Sequence, residues 1–491
     1  VVLVSDDPSR HQGNKELPAG ISISHRDRLD EVQRELRETP GCTVLIYDQT
    51  CAAEKRRRRK RGSFPDPAQR LFISTAVCEG CGDCSVQSTC VSLVPVETPL
   101  GRKRAIDQSS CNKDFSCLNG FCPSFVTIRG AQPRKPKSLP FDDGLLATLP
   151  DARVAPLLST FDLMIAGIGG TGVVTVAALL GMAAHIEGSA TSLFDMTGLS
   201  QKNGAVYSHV RIAGETSAIT SQRIGRGEAD LILGFDLIAA MAPESFDTID
   251  AGQTAIVANA DVVPTVAFQF DRDFAADPGL LLAQLRRVAG DTKVLAVPAS
   301  KLTQTLFGDT IGANLFLVGF AAQRGLLPVG MAAIEQAIEM NGVAVNLNLR
   351  ALRLGRLYAV DPDRFASLQT ADAPAAPPSL DDIVERRARH LEVYQDRKLA
   401  EKYRAFVARV QERERAVLPS SHTLTSSFAR SYAKLLAYKD EYEVARLLTC
   451  PELHDEITAA FEEGAKISFN LAPPIFAKKR MNGRPGKREL G

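Results

Sequence analysis

The sequence predicts an α/β protein whose central part is built on a mainly parallel sheet, with a cysteine-rich segment before it and a helical domain after it. Three observations carry that prediction. Between 160 and about 362, short apolar runs alternate with amphipathic stretches, the pattern of strands covered by helices. From 71 to 130 cysteine density peaks while hydrophobic periodicity is weak, as expected where something other than an apolar core orders the loops. Beyond 380, Leu399, Tyr403, Phe406, Val407 and Val410 recur at helical spacing, a packing stripe.

Composition fits that reading. At 491 residues, with 45% hydrophobic and 23% charged side chains, the chain can bury several cores, about three by length alone. The start VVLVSDDPSR lacks a signal-peptide layout, and no apolar run reaches the length of a membrane span. A cytoplasmic, reducing location is therefore expected, and disulfides are disfavoured. A net charge of +1 gives no global field for nucleic acid or membrane partners. Because the sequence opens without Met inside a strand-like run, it reads as a piece of a longer polypeptide.

In chain order, residues 1–68 contain VVLVS, then ISISHRDRLDEVQRELRE with Leu29, Val32 and Leu36 on one helical face, then TVLIYD. That is a βαβ fragment. Lys55 to Arg61 are seven consecutive cations, read either as a solvated helix or as a docking patch for an acidic redox partner. Residues 69–135 hold the cysteines. AQPRKPKSLP (131–140) is a Pro and Lys linker, 156–366 the central domain, and ADAPAAPPS (371–379) a second linker. Ser379 and Asp382 form a helix-capping pair opening the helical domain, 380–491, with helices expected over 380–465.

VCEGCGDCSVQSTC places Cys78, Cys81, Cys84 and Cys90 close together, and SSCNKDFSCLNGFCPS adds Cys111, Cys117 and Cys122, the last followed by Pro123. Three thiolates in C-x2-C-x2-C spacing with a remote Cys-Pro resemble the ligand set of a ferredoxin-type 4Fe-4S cubane. Gly80 and Gly82 ease the backbone where it wraps around such an object. Zinc more typically takes two separated pairs, often with His, and no His lies between Cys78 and Cys122. A cluster is the preferred reading, with zinc or plain buried cysteines as alternatives. By ferredoxin logic Cys78, Cys81, Cys84 and Cys122 hold one cluster, and Cys90, Cys111 and Cys117 are candidates for a second. Seven cysteines fall short of the eight that two fully thiolate-ligated cubanes need, so a second cluster requires Asp114, Cys51 or a three-iron site. Cys42 and Cys450 read as small buried hydrophobes.

In FDLMIAGIGGTGVVTVAALLGMAAHIEG, an apolar strand leads through Gly167, Gly169, Gly170 and Gly172 into a long helix, the context of a dinucleotide-type turn. Asp195, ending the next strand, stands as a ribose-binding acid. Close helix-to-strand packing alone also demands small residues there, so a Rossmann-like domain without a ligand is the alternative. MTGLSQKNGAVYSHVRI, with Gly198, Gln201, Gly204 and His209, is unlike a standard dehydrogenase, and His209 reads as a structural histidine.

GIGGTG with its apolar helix, MTGLSQKNGAVYSHVRI and ADLILGFD resemble the gamma domain of 2-oxoacid:ferredoxin oxidoreductases. LIYDQTCAAEKRRRRKRG, the two cysteine strings and the tail strings AYKDEYEVARL and FNLAPPIFAKKR resemble the fused bacterial indolepyruvate:ferredoxin oxidoreductases in particular. The resemblance implies a Rossmann-like gamma domain with a mainly parallel sheet, preceded by a ferredoxin-like iron–sulfur segment and followed by a helical domain. It implies decarboxylation of aryl pyruvates on thiamine diphosphate with Mg2+, acyl transfer to coenzyme A, and electrons leaving through 4Fe-4S clusters to ferredoxin, in a dimer. The Gly-Asp-Gly motif of such families is absent, and GDTIGAN (308–314) does not supply it. On this reading 1–68 is the C-terminal part of a thiamine diphosphate-binding domain, the upstream half is a partner, and this chain alone does not turn over. Two further readings remain: an iron–sulfur module on a pyridine-nucleotide domain, and a metal-stabilised interaction protein.

Overall fold

A computed structural model describes residues 1–134, 143–198, 204–262, 270, 271, 274, 276–366, 378–473 and 486–491. Gln201 and most of both Pro-rich linkers lie outside the described residues, as does the end of FNLAPPIFAKKR. Two compact units result, Val1–Pro67 and Ala68–Gly491. The sequence segments 69–135, 156–366 and 380–491 thus share one unit.

In the first unit, β1 (Val2–Ser5), β2 (Ser22–His25) and β3 (Leu45–Asp48) make a parallel sheet in the order β2-β1-β3, with Val2 opposite Ser22 and Leu45. Helix α1 (Leu29–Glu38) buries Val32. The stretch from Ile21, read as one helix, therefore divides. Ser22–His25 pairs with β1, and the His25 ring accepts from the Asp27 N–H where the chain turns into the helix. The basic run lies on α2 (Ala52–Lys60). Its Lys55 pairs with Asp6 at 2.7 Å, Arg58 with Glu54 at 3.0 Å, and Arg59 stacks on Phe64, so several of the cations already have partners.

The second unit begins with β4 (Gln69–Ile73), the short helix α3 (Asp83–Ser88), the antiparallel hairpin β5 (Leu93–Thr98) and β6 (Gly101–Ile106), and β7 (Phe125–Arg129). The central domain follows with β8 (Phe161–Ile168), α4 (Val173–Ile186), β9 (Ala190–Thr197), β10 (Ala205–Ala213), β11 (Leu231–Gly234), β12 (Ala255–Asn259) and β13 (Val294–Val297). These strands form one sheet in the order β13-β12-β11-β8-β10-β9. The first four are parallel, while β10 runs antiparallel to both β8 and β9. FDLMIAGI of β8 is apolar on both sides because both faces of the sheet are covered. Helices α5 (Ala313–Gln323) and α6 (Val345–Val360) cross at Gly319 and Gly355, where a Cβ on either would run into a backbone carbonyl of the other helix.

The C-terminal part holds helices α7 (Leu380–Tyr394), α8 (Arg397–Val417), α9 (Thr423–Leu436), α10 (Glu441–Leu448) and α11 (Pro451–Ala460). Ser379 and Asp382 form a reciprocal capping box at the start of α7. Tyr403 and Val407 sit in a core shared by α7, α8 and α9. The helices occupy the span expected for them, 380–465, almost to its end, and past Phe461 the chain turns to strands. There β14 (Lys466–Leu471) pairs with β7, and β15 (Arg488–Leu490) pairs with β14, giving the antiparallel order β15-β14-β7-β4. KISFNL is an alternating apolar and polar strand, and β7 offered an open edge. The cysteine segment thus borrows strands from the chain's far end, and Leu448, Leu453, Ile457 and Phe461 pack against Val126 and Ile128 of β7.

Candidate functional site

All ten cysteines are free thiols. Seven of them line the loops joining β4, the hairpin and β7. Cys78 leaves β4 in a turn whose Gly80 (φ +65°) and Gly82 (φ +83°) are left-handed. The Gly80 N–H donates to Cys78 Sγ at 3.3 Å, and a side chain at Gly80 would run into the Arg102 carbonyl. Cys84 rides on α3, with Gly82 as its N-cap. Cys78 and Cys84 are buried in an apolar core with Leu71, Ile73, Leu93 and Phe125, whereas Cys81 is exposed. Cys122, against the same core, lies 3.0 Å from the Ser124 hydroxyl.

The electrostatics divide these thiols into two groups. Burial pushes Cys84 up to about 12, and charge on Cys122, Cys78 and Cys81 pushes it the same way, with Arg104 opposing. Cys117 is raised by burial and then by Cys90, Cys111 and Asp114. Cys111 is raised by burial, with Cys90 and Asp114 adding to the effect and the Lys113 N–H opposing it. One group is thus Cys78, Cys81, Cys84 and Cys122, the other Cys90, Cys111, Cys117 and Asp114, and Cys84 and Cys117 lie where the two meet. The second group borders a small apolar cavity closed by Leu71, Leu93, Ile106 and Phe115.

Desolvation holds the Cys84, Cys111, Cys117 and Cys122 thiols protonated unless cationic charge joins them. A polynuclear iron centre supplies that charge, so the donor chemistry fits the group the spacing implies. Among the described residues no three His, Cys, Asp or Glu side chains converge as a single-ion cage. A cubane carries its ligands at separate corners, and the fit rests on the grouping and desolvation of the thiols.

The spacing did not reveal the cations beside the first group. Arg104 on β6 is 1% exposed, its pKa lowered by burial while Cys84 and Cys78 pull it back up. Lys103, also buried, donates to the Cys78 carbonyl at 2.6 Å. Their only sequence signal is GRKRAI, a basic strand inside the cysteine segment. Of the other cysteines, Cys450 caps α11 and packs at the edge of the core beneath it. Cys42 is a correction: expected buried, it is exposed, because the loop between α1 and β3 lies on the surface of its small unit. Cys51 is exposed at the start of α2.

The glycine turn joins β8 to α4. Gly170 (φ +82°) and Gly172 (φ +97°) are left-handed, Gly169 N–H bonds the Gly204 carbonyl at 2.8 Å, and Asn314 holds the Thr171 carbonyl at 2.9 Å. Gly167 has no room for a Cβ against Val173 and Phe235. Asp195 is not where a ribose acid belongs. It sits in β9, separated from β8 by β10, opposite Ser208 and bonded to its hydroxyl at 2.5 Å. The physical reason is the antiparallel edge: with β10 inserted next to β8, the strand carrying Asp195 does not end beside the turn. His209 is buried on β10, with Nδ1 accepting from the Ile224 N–H at 3.1 Å and the ring against Phe194.

Comparison with known proteins adds a family. The model described as pyruvate ferredoxin/flavodoxin oxidoreductase matches residues 162–358, and a family of unknown function (DUF6537) matches 380–491. Neither range includes the cysteine-rich stretch. The chain is similar to indolepyruvate oxidoreductase subunit IorB of Pyrococcus horikoshii, 28% identical over 203 residues, covering 40% of this chain and 95% of that protein. The same subunit of Thermococcus kodakarensis is 27% identical with the same coverage. Among solved structures, the gamma subunit of a keto/oxoacid ferredoxin oxidoreductase from Geobacter sulfurreducens is 20% identical over 41% of this chain and 98% of its own, at a TM-score of 0.30.

Proposed function

With residues 162–358 a domain of the pyruvate ferredoxin/flavodoxin oxidoreductase family, we propose that the chain is the electron-exit and gamma portion of a 2-oxoacid:ferredoxin oxidoreductase acting on aryl pyruvates such as indolepyruvate. The complete reaction consumes a 2-oxoacid, coenzyme A and two oxidised ferredoxins. It yields acyl-CoA, carbon dioxide, a proton and two reduced ferredoxins. The observation that carries the reading is the convergence of this segment's cysteines on one small core within the same compact unit as the family domain: Cys78, Cys84, Cys90, Cys117 and Cys122 pack in it, and Cys90, Cys111 and Cys117 line its cavity.

Cys78, Cys81, Cys84 and Cys122 would hold one 4Fe-4S cluster, with Cys90, Cys111 and Cys117 contributing to a second; bound there, the clusters pass electrons one at a time. The chain's own residues tune that site. N–H donors from Gly80 and Lys113 reach Cys78 and Cys111 Sγ, and buried Arg104 and Lys103 offset the negative charge of the thiolates. Each of these favours the reduced state. Leu71, Leu93 and Phe125 keep water from the sulfurs. Thiamine diphosphate and Mg2+ have no matching motif in this sequence; a partner half supplies them, with coenzyme A as co-substrate. Ferredoxin is the electron acceptor, and the exposed Cys81 corner is the face it would approach. A homodimer of the complete enzyme and a cytoplasmic location belong to the same reading; no described helix is long and apolar enough to cross a membrane.

Two measurements test it. Iron and acid-labile sulfide on anaerobically purified chain, with EPR after dithionite, should show reducible clusters and not zinc. Adding the upstream thiamine half should restore ferredoxin reduction with indolepyruvate. Failure with both aryl and aliphatic oxoacids would refute the activity, and hydride exchange with a pyridine nucleotide would favour a nucleotide-dependent module instead.

A further inference from the structure

The two cysteine turns are copies of each other in backbone conformation, and the copy is broken at one side chain. In the first, Cys78 is followed by left-handed residues two and four positions on, Gly80 (φ +65°) and Gly82 (φ +83°). In the second, Cys111 is followed at the same offsets by Lys113 (φ +57°) and Phe115 (φ +60°). L side chains rarely adopt that conformation, and Lys113 and Phe115 are two of only four such non-glycine residues among those described. The parallel extends further. The amide two residues on donates to the leading sulfur in both turns, Gly80 to Cys78 at 3.3 Å and Lys113 to Cys111 at 3.4 Å. The second left-handed residue of each turn caps a short helix, Asp83–Ser88 or Ser116–Asn119, whose second residue is a cysteine, Cys84 or Cys117. Between the left-handed pair stands Cys81 in the first turn and Asp114 in the second, both exposed.

We propose that Asp114 is the eighth ligand: that Cys90, Cys111, Asp114 and Cys117 hold a second 4Fe-4S cluster in which a carboxylate binds the iron that Cys81 binds in the first. This rests on the iron–sulfur reading of the segment. Two observations support it independently of the spacing. Cys90, Cys111, Asp114 and Cys117 all border the same cavity. Asp114 Oδ1 accepts from the Ser116 N–H and hydroxyl, at 3.3 and 2.9 Å, which fixes the carboxylate and leaves Oδ2 as the ligand atom. The strain at Lys113 and Phe115 then has a purpose, since it holds the turn in a ligating shape where glycine would do so without cost. The crossed pattern also follows, each fourth cysteine, Cys90 or Cys122, serving the cluster of the other turn. A hard oxygen donor at an exposed corner binds that iron more weakly than thiolate does. Oxidation with added ferricyanide should therefore release it: one ferrous ion leaves, one electron passes to the oxidant, and a three-iron cluster remains.

The experiment compares wild type, Asp114→Ala, Asp114→Cys and Cys78→Ala as full chains, reconstituted anaerobically, by iron and sulfide content, EPR and redox titration. Wild type should carry about eight irons. Asp114→Ala should lose about one of them before any oxidant is added, and the three-iron cluster that remains should give its half-integer-spin EPR signal once ferricyanide takes one electron from it. Asp114→Cys should keep all of them, lower the potential of one cluster because thiolate donates more electron density than carboxylate, and resist ferricyanide. If both Asp114 variants match wild type in iron content, spectrum and potential, Asp114 is not a ligand. If wild type holds about four irons, all lost in Cys78→Ala, the second cluster is refuted and the first stands. A wild type with no iron at all overturns both this inference and the iron–sulfur reading beneath it.

Discussion

Lys439 and Glu79 form an ion pair that ties the C-terminal helical part to the first cysteine turn. The same ammonium donates to the carbonyls of Ala76 at 2.6 Å and Val77 at 3.3 Å, the two residues before Cys78. Burial of Glu79 works against its charge, yet hydrogen bonds from Lys434 and Lys439 outweigh it and hold the carboxyl at about 2. Lys439→Ala strands a half-buried carboxylate and two carbonyls, and should cost about 1–3 kcal/mol. Lys434, more exposed, should cost no more than about 1 kcal/mol. Urea midpoints of the two variants, with the rate of iron loss to a chelator, separate them: equal effects would mean that Lys439 does not brace the turn.

That brace shows where the sequence was legible and where it was not. The strand, glycine turn and helix from Phe161 to Ile186 were readable because each rests on local physics: an apolar run, left-handed glycines, then a helix. The two cysteine turns were readable because each is a short local string punctuated by left-handed residues. Long-range pairing was not. Nothing near Lys466–Leu471 announces that β14 completes a sheet begun at Gln69. Likewise the placement of Asp195 depends on β10 entering antiparallel beside β8, a choice made by tertiary pairing. The strand at Ser22–His25 was hidden by a helical face that begins only at Leu29.

Gly319 and Gly355 let helices α5 and α6 meet backbone to backbone. Gly355→Ala puts a methyl group into the Phe316 carbonyl, and neither helix can yield without disturbing the core around Phe316 and Leu352. A loss of at least about 2 kcal/mol is expected from overpacking. An unchanged thermal midpoint would show that the crossing is looser than the backbone positions imply.

Asp162 and Arg211 form a buried bidentate pair, both contacts at 2.7 Å, between β8 and β10. Asp162→Ala should destabilise by about 3–5 kcal/mol, since it leaves the guanidinium in the interior with Glu228 at 3.7 Å and the charge of Asp230 but no bidentate partner. Replacing both partners by apolar residues, Asp162→Leu with Arg211→Met, should cost less than Asp162→Ala alone. Additive losses in the cycle of Asp162→Leu, Arg211→Met and the double variant would contradict the pairing.

His209 gives the central domain a pH dependence. Burial first, then the charges of Arg223 and Arg211, push its pKa down to about 4, with Asp195 opposing them. In the unfolded chain an ordinary histidine titrates near about 6.5. Between these values the unfolded state binds a proton that the folded state does not, so His209's contribution is complete above about 6.5 and falls as the pH drops toward 4. Urea midpoints measured from pH 7 to pH 4.5 should decline for wild type, and His209→Gln, which keeps an acceptor for the Ile224 N–H, should decline less steeply. Parallel curves would place the acid sensitivity elsewhere.

Exposure and ligation make opposite predictions for Cys81, and alkylation distinguishes them. Cys42, Cys51 and Cys81 are all exposed, so in iron-free protein all three should react readily with iodoacetamide, while buried Cys78 and Cys84 react slowly. A cluster held by Cys81 engages its sulfur. In iron-loaded protein Cys42 and Cys51 should still be modified, and Cys81 should be protected until a chelator and an oxidant strip the iron. Mass spectrometry of peptides from both forms reads this residue by residue. Rapid labelling of Cys81 in the iron-loaded chain would remove it from the ligand set and force the first cluster onto Cys78, Cys84, Cys122 and a ligand from outside the turn.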